Sequence, residues 1–154
     1  MTTADDEVLR GYALVLADGI EAALGPWVER CVARVADAWR PGLAAELADA
    51  AAEAGRAATA EVAPRVRALL LADVADQATG PLAVVRGAVA HPTAVLAAAG
   101  VPPLVRDAFA ERAFPEDAYD LAPATFADLA PELHEPGLVW GAAKAHVVLA
   151  RRRP

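Results

Sequence analysis

An all-α fold is the class that the sequence predicts, and three observations carry it. Alanine, the strongest helix former, supplies 42 of the 154 residues. Larger apolar residues recur three and four apart over long stretches, the spacing of one helical face. No run of β-branched residues alternates with period two, and no Asn-Gly or Asp-Gly pair offers a hairpin turn. The chain is the length of one domain, expected as a bundle over residues 1–100 and an irregular, proline-rich C-terminal subregion over 101–154. Without alanine the apolar residues are few, so thin and closely packed helix interfaces are expected.

The first helix is expected from a cap at Thr2 or Thr3, with Asp5 and Asp6 favourable in its opening turn. Val8, Tyr12, Val15, Leu16, Ile20 and Leu24 form its apolar stripe, and Gly25 reads as its end. Pro26 suits the first position of a second helix, along which Trp27, Cys31, Val35 and Trp39 step by four. Pro41-Gly42 breaks the chain before a long Ala-rich helix reaching about Val62, with Leu47, Ala51, Ala54, Ala58 and Val62 buried. Pro64 either kinks that helix or starts another. A turn at Gln77–Pro81 precedes two short helices near 81–90 and 92–99, stopped by Gly100.

Beyond Gly100 the texture changes. Residues 103–113 look helical. Four prolines limit 115–136 to short turns, and residues 138–153 make a final helix with Leu138, Ala142, Ala145 and Leu149 on one face. Charge here is polarised. Eight acids and one base, Arg112, lie between Asp107 and Glu135, whereas Lys144 and Arg151-Arg152-Arg153 follow with no acid at all. The simplest account is a basic helix docked beside the acidic segment; the other is a basic tail offered to an acidic partner.

The net charge of −7 disfavours a general nucleic-acid binder, whose affinity rests on basic surface. No apolar stretch is long enough to span a bilayer, and the acidic start is unlike a signal peptide, so a cytoplasmic protein without membrane contact is expected. The single cysteine excludes an internal disulfide. No serine or asparagine occurs, which removes a serine nucleophile. No P-loop, dinucleotide-binding glycine pattern or nucleophile elbow is present, and no cofactor is expected.

Function is therefore expected to be non-enzymatic, that of a helical accessory or adaptor protein with a protein partner or itself as a homodimer. Its partner surface would comprise Phe109, Phe114, Tyr119, Phe126, Trp140, Arg151, Arg152 and Arg153, aromatic anchors with charge steering around them. The alternative is a small metal- or ligand-binding enzyme or sensor. His134, Glu135 and His146 carry ligand chemistry, with Asp117, Asp120 or His91 joining through the fold, although their spacing is not the zincin pattern. The acidic loop of Glu116, Asp117 and Asp120 lacks the EF-hand ladder and is better read as a capped, solvated turn. Cys31 lies in register with the buried stripe, where core packing is expected.

Overall fold

A computed structural model of the chain describes residues 3–71, 81–123 and 126–134. All regular structure among these residues is helical. The expected turn at Gln77–Pro81 falls mostly outside them, and the expected helix at 138–153 wholly so.

The two helices expected over the first 39 residues are one. Helix α1 runs unbroken from Thr3 to Trp39 with Pro26 inside it. Proline removes the amide that would bond the carbonyl four residues back. Here Pro26 and Ala22, the residue whose carbonyl loses its donor, are both exposed, so water can serve that carbonyl. Gly25, lacking a Cβ, also relieves the clash that a proline ring imposes on its predecessor. Packing on both sides of Pro26 then holds the rod together, with Leu16, Ile20, Leu24, Val28 and Val32 all buried. Two stripe residues are misplaced by the sequence pattern: Val15 is 73% and Trp39 47% exposed.

Gly42, at φ 91°, turns the chain after α1, and Ala44 donates to the Asp37 carboxylate at 2.9 Å across the turn. A single turn, α2 (Leu43–Glu46), precedes α3 (Ala48–Leu71). α3 continues through Pro64, which again lies on the exposed side together with Ala60, the residue four before it. Its buried stripe is Ala51, Gly55, Ala58, Val62, Val66 and Leu70.

α1 and α3 lie antiparallel as the central pair. Glycine faces glycine where they cross: a Cβ on Gly55 would sit 2.9 Å from the Gly25 carbonyl oxygen and 3.1 Å from its Cα. Towards the other end Arg67 pairs with Asp18 and, at 3.3 Å, with Glu21. Next, α4 (Pro81–Arg86), a 3₁₀ turn (Gly87–Val89) and α5 (Ala90–Ala98) pack over the pair through Val85, Ala88, Val89 and Leu96. His91 Nε2 meets the Glu61 carboxylate at 2.8 Å and ties α5 to α3.

Residues 101–107 are not helical, contrary to the expectation for 103–113. The Leu104 amide donates across the loop to the Ala118 carbonyl at 3.0 Å, which takes it out of any helical ladder. Asp107 instead caps a short helix, α6 (Ala108–Ala113), by accepting from the Ala110 amide at 2.7 Å. Two 3₁₀ turns, Phe126–Asp128 and Pro131–His134, then return the chain to α1. Arg30 donates to the Leu129 carbonyl there, and Leu133 fills the space beside Gly19. Among the described residues no helix is long and apolar enough to cross a membrane.

Candidate interaction surface

The C-terminal subregion separates the expected partner residues into three groups. Tyr119 and Phe126 are core residues. Tyr119 donates its hydroxyl to the Val101 carbonyl at 2.7 Å, and burial raises its pKa, while Phe126 is fully buried. Neither lies on a surface in this fold. Phe114 is half-buried under the Arg86 guanidinium, which stands 4.2 Å above the ring centroid and clamps the loop to α4. Phe109 alone of the described members of this set projects into water, at 70% exposure. Trp140, Arg151, Arg152 and Arg153 lie outside the described residues.

Phe109 has neighbours that sequence reasoning missed. Leu104 is 52% exposed and Val105 completely so. Three large apolar side chains thus stand in water within six consecutive residues, two on the loop and one on α6. A helix over 103–113 would have set Val105 and Phe109, four apart, on one face as candidates for burial. Pro102-Pro103 and the capping Asp107 were the available signals of an extended segment.

The backbone beneath this patch is anchored at several points. Besides the Leu104–Ala118 and Asp107–Ala110 bonds, Arg106 turns inward and donates to the carbonyls of Phe114 at 2.7 Å and Ala110 at 3.4 Å. Its charge therefore stays with the loop. The exposed charges between residues 104 and 120 are mostly acidic: Asp107, Glu111, Glu116 and Asp120, against Arg112.

Asp117 is part of the scaffold. It is buried, and its two oxygens accept from the Leu121 and Ala122 amides at 2.7 and 2.8 Å. Asp120 is exposed and takes a left-handed backbone at φ 56°. Among the described residues no three histidine, cysteine, aspartate or glutamate side chains group to hold a metal ion. The side chain of His134, with Glu135 and His146, lies outside those residues, and His91 is engaged with Glu61 far along the chain.

Cys31 is buried among the core residues of α1, and burial pushes its thiol up to about 11, despite Arg34 and Arg30 nearby. It is held as an uncharged packing group. A shallow groove of about 470 Å³ follows the α1–α3 crossing, lined by Gly25, Pro26, Gly55 and Thr59 with Glu29 and Arg56. Thr59 turns its hydroxyl to the Gly55 carbonyl at 2.9 Å, away from any ligand role. Compared with known families, curated proteins and solved structures, the chain matches none of them.

Proposed function

We propose that the chain is a helical accessory or adaptor protein of the cytoplasm that captures a protein partner through its C-terminal third. The observation that carries this is the exposure of Leu104 and Val105 on a loop, and of Phe109 in the short helix α6 that follows, with the backbone pinned by Arg106, Asp107 and Ala118. An apolar patch on the order of a few hundred Å² is the size at which exposed hydrophobic surface is often functional. A pinned backbone also lowers the ordering cost of association. The acidic excess among the exposed charges of this stretch favours a partner that carries basic side chains beside its apolar anchors.

The test is a full-length double variant, Val105→Asp with Phe109→Asp. Both side chains are exposed, so stability should stay within about 0.5 kcal/mol of the parent. Affinity for a captured partner, a second copy included, should fall at least tenfold, about 1.4 kcal/mol, as expected for loss of central anchors. Unchanged capture by a folded double variant removes this surface from the function.

A further inference from the structure

Resting on the function just proposed, we infer that the partner is a domain with an aromatic-lined groove, which reads residues 102–105 as a left-handed polyproline ridge. The rings of Pro102 and Pro103 fix φ at about −65°. A residue followed by proline is pushed to extended ψ, which sets Val101 and Pro102 as well. Asp107 closes the stretch at φ −68° and ψ 165°, close to the same region. No turn or bend interrupts residues 101–107. In a polyproline helix three residues make a turn and each advances about 3.1 Å, so Pro102 and Val105 share one edge about 9 Å apart.

The ridge is open on its side chains and on its backbone. Pro102, Pro103, Leu104 and Val105 are all exposed. Among the described residues no hydrogen bond reaches the carbonyls of these four. Those carbonyls are acceptors for indole N–H and phenol O–H groups, while the rings of the same aromatic residues pack on the pyrrolidines. The ridge is also held before any partner arrives. Val101 is buried and its carbonyl accepts from the Tyr119 hydroxyl at 2.7 Å, and the Leu104 amide is tied to Ala118 at 3.0 Å. A segment already in the bound conformation loses little freedom on docking.

Charge narrows the partner further. Arg106 commits its guanidinium to the carbonyls of Phe114 and Ala110, so the ridge presents no free cation. The exposed charges that follow it are mostly acidic. The complementary groove carries lysine or arginine on its lip.

The experiment sets the full chain against a panel of purified proline-reading SH3 and WW domains, including grooves with basic lips, with binding read by calorimetry. At least one domain should bind more tightly than about 1 mM, and excess poly-L-proline should displace the chain from it. Pro102→Ala with Pro103→Ala removes the prolines and keeps Leu104, Val105 and Phe109, so it should weaken that binding at least tenfold. Val105→Glu is the second variant. It changes a fully exposed side chain on the edge shared with Pro102, and should weaken binding to the same degree in a folded chain.

The inference is overturned if no domain of the panel binds, or if poly-L-proline leaves the complex in place. It is also overturned if binding is indifferent to loss of the prolines or, where that variant does not fold, to Val105→Glu. If the panel fails while Val105→Asp with Phe109→Asp still abolishes partner capture, the adaptor function stands with a partner of another kind. If a groove takes the ridge but that double variant captures its partner normally, the adaptor function of this surface is what falls.

Discussion

Gly55→Ala should destabilise the protein although it replaces a poor helix former with the best one. A methyl at this position would lie 2.9 Å from the Gly25 carbonyl oxygen, 3.1 Å from its Cα and 3.3 Å from its carbonyl carbon. All three atoms are backbone, so no side chain can swing aside. Relief requires α1 and α3 to part, which loosens Val28, Ala51, Ala58 and Val62 together. Overpacking of this kind costs about 1–3 kcal/mol, and the helix-propensity gain of alanine over glycine returns about 0.5–1. The net expectation is a loss of about 1–2 kcal/mol, a midpoint about 2–6 °C lower for a chain of this size. Gly11, in the same long helix as Gly25, is the control, because a Cβ there meets nothing within 4 Å. Gly11→Ala should therefore gain about 0.5–1 kcal/mol. Thermal unfolding followed by far-ultraviolet circular dichroism reads both. Should Gly55→Ala shift the midpoint in the same direction as Gly11→Ala, the close glycine crossing does not hold the pair.

The continuity of α1 makes Pro26→Ala stabilising, by about 1–3 kcal/mol, since it restores the amide facing the Ala22 carbonyl. Had a helix begun at Pro26 the same change would be neutral or harmful, so the sign of the urea midpoint shift decides between them. Cys31 predicts a pH dependence. Its folded pKa is raised from 9.0 to about 11, so the stability linked to its proton is intact below pH 9 and lost as pH rises towards 11. Over that window the parent should lose about 2–3 kcal/mol relative to Cys31→Ala. Parallel stability curves for the two proteins across this range would contradict the sealed thiol.

Helical class was legible in the alanine content and in the stripes of Ala51, Ala58 and Val62, because burial of one face leaves a periodic trace. Boundaries were not. Gly25-Pro26 spells a stop and a start in local terms, yet tertiary contact at Gly55 uses that glycine for close approach while the proline faces water. Trp39 matched its stripe by spacing and still stands half in solvent, since α1 outruns the partner that would cover it. The patch was half legible. Phe109 stood out as an aromatic in an acidic stretch, whereas Leu104 and Val105 depend on a bond to Ala118 that no linear pattern records. Tyr119 and Phe126 show the reverse: their composition suits an interface, and folding places them in the core.

The seating of Leu129 and Leu133 on α1 also sets an order of assembly. Arg30 and Leu129 are separated by 99 positions, and Gly19 and Leu133 by more. During synthesis at about 5–20 residues per second, that side of α1 waits on the order of ten seconds for its cover to be made. The helical pair of α1 and α3 can close well before then, using nearer contacts that form faster. The strap at 126–134 is thus a late event. The newborn chain holds one uncovered apolar flank of α1 until it arrives, and that flank is where a chaperone would find it.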